Sequence, residues 1–203
     1  MKKSQIYVAL LSPWIGIVGI LIAIYLNSSW WSLTDNAISD LGNIKRPWVN
    51  YPYVLNTTLM IAGACTTYFL IFLFMELKSK IAKAGAGIFI LGTISLFLIG
   101  VFPEEASILE FEPHYYVSWG FFLFSSFGML IIGIAALLKK ETRLFGLVTI
   151  VIFVVSWILA VVALKTFKGV AIAEFIGAFA LFIWLYLAVL WKNGLPSLIS
   201  PVL

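Results

Sequence analysis

The feature that most constrains this chain is a series of six apolar stretches, each long enough to cross a lipid bilayer. A membrane-spanning helix needs about 17–25 mostly apolar residues, and such stretches lie at about 6–26, 53–75, 84–102, 115–138, 144–164 and 170–191. Helices are favoured because a backbone in lipid must satisfy its own hydrogen bonds, and the alternating pattern of barrel strands is absent. The sequence therefore predicts an all-α, polytopic membrane protein with a single transmembrane domain over 1–203.

The composition excludes a soluble domain and a nucleic-acid binder. Hydrophobic residues make up 63% of the chain and charged residues 11%, whereas soluble proteins average about 45–50% and about 25%. The net charge of +4 is spread along the chain and forms no basic stripe of the kind that binds nucleic acid. The expected partners are membrane lipids, with a further membrane protein as a second candidate.

The basic residues predict the orientation of the helices. Nine of the 13 Lys and Arg residues fall on the side of the N-terminus and four on the other side. Because cytoplasmic loops carry the excess of positive charge, this bias predicts a multi-pass protein of the cell membrane with both termini cytoplasmic. Acidic residues have the opposite bias, for which the solvation of long loops and cation binding are alternative causes. The predicted external acidic residues are Asp35, Asp40, Glu104, Glu105, Glu110 and Glu112.

The first external loop, at about 27–52, contains a polar stripe. Asn36, Ser39, Asp40 and Asn43 have the spacing i, i+3, i+4, i+7, which aligns them on one face of a helix. Thr34 is a suitable residue to cap the start of that helix. We therefore expect a short interfacial helix with its polar stripe turned towards a site; a solvated surface helix without a site role is the alternative.

A second group of polar residues lies between the third and fourth apolar stretches. Glu104 and Glu105 follow the third stretch, and Pro113 and His114 open the fourth, with Ser118 one turn further along the same face. His114 is the only histidine of the chain. It is a candidate general acid or base, oriented by Asp40 or Glu104; a histidine that only forms structural hydrogen bonds is the alternative.

Glu174 is the only acidic residue within an apolar stretch. It lies about 4–5 residues into the sixth stretch, or about 7 Å from the membrane surface at 1.5 Å per residue. A carboxylate facing lipid is unfavourable by up to a few kcal/mol, so Glu174 should face the bundle. Its expected partner is one of four residues: His114, Asn56, Lys165 or Lys168.

Several classes of active site are excluded by the residues that the chain lacks. The sequence contains no HExxH, no nucleotide-binding glycine loop, no GxSxG and no CxxC. A single histidine excludes a zinc hydrolase with two or three histidine ligands, and haem held by two histidines of one chain. No cofactor is predicted. A divalent metal is the alternative, and its candidate ligands are His114, Glu104, Glu105 and Asp40.

Two short motifs resemble a known family. Residues 36–42 read NAISDLG and residues 100–104 read GVFPE, with His114 shortly after. Together they resemble the prokaryotic integral membrane proteins of the domain-of-unknown-function 998 family, over nearly the whole chain. This resemblance implies a fold and a site location but no activity. More distantly, ISDxG in the first loop and a histidine at the head of the fourth helix are similar to the six-helix family of autophagy modulators and GPI-anchor-remodelling proteins, which implies lipid-related work by analogy.

Three functions fit these residues. The first is the binding or processing of a lipid or lipid-linked substrate at an acidic extracytoplasmic site, either as an enzyme or as a binding protein. Lys45, Arg46, Lys165 or Lys168 would then hold an anionic headgroup. The alternatives are a non-catalytic scaffold or complex subunit, and a proton-coupled transporter. The candidate catalytic residues are His114, Asp40, Ser39, Glu104 and Glu174, and the candidate substrate-binding residues are Asn36, Asn43, Arg46, Asn56 and Ser118.

Overall fold

Each of the six apolar stretches forms one helix in the computed structural model, which describes residues 3–106 and 111–190. All six helices are long and apolar enough to cross a membrane, which confirms the predicted all-α, six-helix fold. The helices are α1 (Lys3–Leu26), α2 (Tyr53–Glu76), α3 (Lys80–Val101), α4 (Pro113–Leu137), α5 (Arg143–Thr166) and α6 (Ala171–Leu190). Glu110 lies outside the described residues.

The helices follow one another around the bundle, and α6 closes the ring against α1. At this closure the Trp14 Nε1–H donates to the Tyr186 hydroxyl at 2.6 Å, and that hydroxyl donates to the Leu10 carbonyl at 2.6 Å. The approach of α3 to α4 depends on glycine. A Cβ on Gly128 would lie 2.6 Å from the Phe89 backbone nitrogen, so a larger residue would force these two helices apart.

One end of the bundle has the two longest loops and most of the acidic residues of the chain, and we call it the acidic end. It comprises 27–52, 102–106, 111–112 and 167–170. The first loop folds down onto the helices there, because Trp31, Ile38 and Leu41 are buried against Leu55 of α2 and Ala171 of α6. Apolar packing therefore contributes to the position of this loop, in addition to its hydrogen bonds.

The helix in this loop is shorter than the sequence predicts. It is a single 3-10 helix, Ser39–Gly42, preceded by turns. Thr34 does not cap it; the Thr34 Oγ1–H donates to the Asp35 carboxylate at 2.8 Å. The Asn36 Oδ1 accepts from the Ser32 N–H at 2.9 Å. These side chains bond locally in a non-helical conformation, and such bonds compete with a regular helix.

Candidate functional site

Asp40 is the centre of a hydrogen-bonded network at the acidic end. Its carboxylate accepts from the Ala37 N–H at 2.8 Å and from the Asn36 Nδ2–H at 3.2 Å. It also pairs with the Arg46 guanidinium, whose Nη2 lies 3.4 Å from Glu104 Oε2. Arg46 thus bridges one carboxylate of the first loop and one of the α3–α4 loop.

The surroundings of Asp40 and Glu104 shift their pKa values in opposite directions. Burial alone would raise the pKa of Asp40, but the bonds from Ala37, Arg46 and Asn36 and the charge of Arg46 outweigh it. They hold the pKa of Asp40 below its ordinary value of 3.8. Burial and the nearby charge of Asp40 raise the pKa of Glu104 above 4.5. Asp40 therefore stays ionised, and Glu104 is the member of the pair that takes up a proton first.

The first loop is also held to the α3–α4 loop by three hydrogen bonds that involve both side-chain and backbone groups. The Asn43 Nδ2–H donates to Glu104 Oε2 at 3.4 Å, and the Ile44 N–H donates to Glu105 Oε1 at 2.6 Å. The Lys45 ammonium donates to the Glu105 carbonyl at 3.1 Å. Asn43 and Glu105 thus hold two loops together.

Asn56 fixes the end of the 3-10 helix. Its Nδ2–H donates to the Gly42 carbonyl at 2.9 Å. A Cβ on Gly42 would lie 2.3 Å from the Asn56 Oδ1, so only glycine allows this contact. Asn56 therefore holds the first loop against α2.

Glu174 connects the first loop to α6. Its Oε2 accepts from the Ile38 N–H at 2.7 Å, so its partner is a backbone amide and not one of the four predicted side chains. Beside it, the Gly169 N–H donates to the Thr34 carbonyl at 2.8 Å and the Ala171 N–H to the Asn36 carbonyl at 3.0 Å. The other carboxylate oxygen of Glu174 has no hydrogen bond to the described residues.

His114 is oriented by a backbone carbonyl and not by Asp40 or Glu104. Its Nδ1 lies 2.8 Å from the Phe102 carbonyl oxygen. A carbonyl only accepts, so Nδ1 carries the hydrogen, and in the neutral ring Nε2 has a free lone pair. Asp40 is paired with Arg46, so within the described residues it does not take the predicted role of orienting His114.

A lateral groove of about 500 Å³ lies between α4, α5 and α6. Trp119 and Val161 on its walls are 45% and 43% exposed, so the groove opens on the outer surface of the bundle. Its charged and imidazole side chains are all at the acidic end, whereas its deeper wall is mostly apolar. The polar residues at the acidic end of the groove are Ser39, Glu104, Glu112, His114, Ser118 and Glu174.

A smaller central cavity of about 160 Å³ lies between α1, α2, α3, α4 and α6. Ser39, Ser118 and Glu174 line both the lateral groove and the central cavity, as do Phe122 and Leu181. The two spaces therefore adjoin along these residues. Glu174 lies at their common upper edge, which is the edge nearest the acidic end.

The structure divides the predicted site residues into two groups. Ser39, Glu104, His114, Ser118 and Glu174 lie together along the lateral groove. The others belong to the network that holds the loops and do not line either cavity: Asn36, Asp40, Asn43, Arg46, Asn56 and Glu105.

Sequence reasoning missed the part of the groove that lies inside the membrane. Ser126 on α4 and Ser156 and Trp157 on α5 line it there. Trp157 is nine residues before the end of α5, about 13 Å from the interface where tryptophan usually lies. That position was the signal available in the sequence.

The predicted metal ligands do not form a cluster. Within 3–106 and 111–190, no group of three or more His, Cys, Asp or Glu residues is placed to hold a metal ion. Asp40 and Glu104 share Arg46, and His114 bonds to Phe102. The divalent metal stays a prediction from the sequence.

Six membrane-length helices with loops packed over one end define a multi-pass integral membrane protein. Residues 10–191 match the model of the family described as "Protein of unknown function (DUF998)", and the chain belongs to that family. No curated protein and no solved structure matches the chain. The distant similarity to the GPI-anchor-remodelling family stays a prediction.

Proposed function

We propose that this protein binds a membrane lipid or lipid-linked molecule in the lateral groove, with the headgroup at the acidic end and this end on the extracytoplasmic face. One observation carries the proposal: the groove opens on the outer surface of the bundle, is polar at the acidic end and mostly apolar below. An amphipathic molecule aligned with the bilayer has the same distribution of polarity.

The depth of the groove supports an acyl chain as the occupant. Along α4, the groove extends from Ser118 to Met129, eleven residues, or about 16 Å at 1.5 Å per residue. The hydrocarbon core of a bilayer is about 30 Å thick, so this depth is about one leaflet. An acyl chain of a lipid in the leaflet at the acidic end could therefore lie along α4 at the same depth that it has in the free leaflet.

The charges favour a neutral or cationic headgroup over an anionic one. The upper groove has Glu104, Glu112 and Glu174 on its walls. The four basic residues near the acidic end, all among the described residues, do not line it: Lys45, Arg46, Lys165 and Lys168. This argues against the expectation from the sequence that a lysine or arginine holds a headgroup phosphate. The Nε2 of His114 and the hydroxyls of Ser39 and Ser118 would bind headgroup hydroxyls or amines.

The transport alternative has less support. A conducting path needs polar groups through the inner half of the membrane. The acidic and imidazole side chains that line the two cavities, within the described residues, are Glu104, Glu112, His114 and Glu174. All four are at or close to the acidic end, which is where a headgroup would lie.

A groove-filling substitution tests the proposal. Ala160 lines the groove on α5, and Val162, on the same helix, is 54% exposed and does not line it. The Ala160→Phe and Val162→Phe variants are purified in mild detergent and incubated with phosphatidylethanolamine and phosphatidylglycerol of identical tails. Retained lipid is then measured by mass spectrometry.

The wild type and Val162→Phe should retain phosphatidylethanolamine in preference to phosphatidylglycerol, and Ala160→Phe should retain neither. Equal retention by all three proteins would show that lipid binds elsewhere. Preference for phosphatidylglycerol would show that the headgroup assignment is wrong. A scaffold without a lipid site would retain neither lipid in any of the three proteins.

A further inference from the structure

The two cavities share an upper edge and separate below it. Ser39, Ser118 and Glu174 lie at the shared edge, and Phe122 and Leu181 face both spaces further down. One headgroup at that edge would therefore have an apolar space on each side of these two side chains.

From this geometry we infer that the ligand is a two-tailed lipid, with one tail in the lateral groove and the second in the central cavity. The inference rests on the lipid-binding function proposed above, and it adds the class of lipid. An amphiphile with a single chain could fill the lateral groove but would leave the central cavity empty.

The central cavity has the depth that a second tail needs. On α6 it extends from Glu174 to Leu185, eleven residues, which is again about 16 Å. Both spaces therefore descend from the shared edge to about the middle of a bilayer about 30 Å thick. The two tails of one lipid in one leaflet end at a similar depth.

The lower part of the central cavity presents hydroxyl groups that already have partners. The Thr66 hydroxyl donates to the Ala62 carbonyl at 2.8 Å, and the Ser12 hydroxyl to the Ala9 carbonyl at 3.4 Å. The Thr93 hydroxyl donates to the Ile90 carbonyl at 3.1 Å. Because these donors are occupied, the occupant of this space need not offer polar atoms, and a hydrocarbon chain fits it.

Gly16 provides a way to fill the central cavity alone. It lines this cavity and not the lateral groove. Among the described residues, a Cβ at Gly16 would meet only the Ala62 Cβ, at 3.8 Å, so a side chain can begin there without a clash, and the leucine of Gly16→Leu is designed to extend into the cavity that Gly16 lines. Gly87 is a matched control: its Cβ would meet only Phe74, at 3.8 Å, and it lines neither cavity.

The experiment compares diacyl phosphatidylethanolamine with its single-chain lyso form, which has the same headgroup. Both are titrated into purified wild type, Gly16→Leu and Gly87→Leu, and the bound fraction is measured by native mass spectrometry. We expect the wild type and Gly87→Leu to bind the diacyl lipid about tenfold more tightly than the lyso form, equal to about 1.4 kcal/mol. In Gly16→Leu this preference should disappear, with the affinity for the lyso form unchanged.

The outcomes separate this inference from the proposed function. Equal affinity of the wild type for both lipids, or an undiminished diacyl preference in Gly16→Leu, overturns the two-tailed lipid and leaves the groove proposal standing. Retention of lipid by Ala160→Phe overturns the groove proposal itself. Thermal unfolding of each variant in detergent checks its folding. Ala178→Leu, which fills the same cavity from α6, replaces Gly16→Leu if that variant unfolds at a lower temperature than Gly87→Leu.

Discussion

Removal of the Arg46 guanidinium should destabilise the protein without loss of bound lipid. Arg46 is bonded to Asp40 and lies 3.4 Å from Glu104, and it does not line either cavity. A hydrogen bond to a charged group contributes about 1.5–3 kcal/mol. The Arg46 side chain is 34% exposed, so water replaces part of this contribution. We expect Arg46→Ala to lower the free energy of unfolding by about 1–2 kcal/mol.

A double-mutant cycle isolates the Arg46–Asp40 pair. The free energy of unfolding is measured by titration with a denaturing detergent for Arg46→Ala, Asp40→Asn and the double variant. The expected coupling energy is about 1 kcal/mol. Lys45→Ala is the control: its ammonium donates to the Glu105 carbonyl at the surface, and its loss should change the free energy of unfolding by less than about 0.5 kcal/mol.

Two results would refute this reasoning. Additivity of the two single variants within about 0.3 kcal/mol would show that the pair contributes nothing to stability. Loss of retained lipid in Arg46→Ala, with the free energy of unfolding unchanged, would place Arg46 in the binding site. The headgroup would then be anionic, as the sequence alone predicted.

Three further predictions concern the acidic end. Glu174→Ala leaves the Ile38 N–H without its acceptor and should lower the free energy of unfolding by about 1–3 kcal/mol. Glu174→Gln keeps an acceptor oxygen and should lower it less, as unfolding in a denaturing detergent can measure. On acidification stability should first rise, because the raised pKa of Glu104 favours its protonation in the folded state. At pH values below 3.8, stability should decrease, because the lowered pKa of Asp40 makes the folded protein bind a proton there less readily than the unfolded chain. A stability profile that decreases steadily from neutral pH would contradict the effect of Glu104. A decrease at acidic pH that persists in Asp40→Asn would contradict the effect of Asp40. In a cysteine-free background, Ile44→Cys should react with an impermeant reagent in intact cells and Lys140→Cys only after permeabilisation; the reverse pattern inverts the proposed topology.

The positions of the helices were predictable because length and apolarity dictate them. The largest error at a described helix end is at the start of α3, which begins at Lys80 and not at 84. Lys80 and Lys83 extend the helix beyond its apolar part, since a lysine can keep its ammonium in water. Ser79 caps this end by accepting from the Ala82 N–H at 3.3 Å. Apolar length therefore locates a helix better than it locates the end of one.

The partners of the polar residues were less predictable than their location. Alternating helices bring Glu174 and His114 to the same end of the bundle, and the sequence predicted this. However, Glu174 bonds to the Ile38 amide and His114 to the Phe102 carbonyl. Every residue has a backbone amide or carbonyl, so a pattern of side chains cannot indicate which of them is used. The groove could not be predicted either, because it depends on the distances between helices. Gly177 of α6 helps to set one of them, since a Cβ there would lie 2.9 Å from the Phe122 ring of α4.

The polar residues at the acidic end fall into two sets: those whose bonds hold the loops, and those that also have an atom without a hydrogen bond to the described residues. Asp40, Arg46 and Asn43 bond to one another, to the backbone and to Glu104, and these bonds hold the first loop in place. Glu174 uses one carboxylate oxygen to hold the first loop through the Ile38 amide, and His114 uses one ring nitrogen to hold the end of α3 through the Phe102 carbonyl. Within the described residues, each has a second polar atom without a hydrogen bond. Those two residues belong to α6 and α4, the helices that also wall the groove. A ligand that bonds to both, as we propose for the lipid headgroup, would also hold α4 and α6 at a fixed separation and would thereby set the width of the apolar groove.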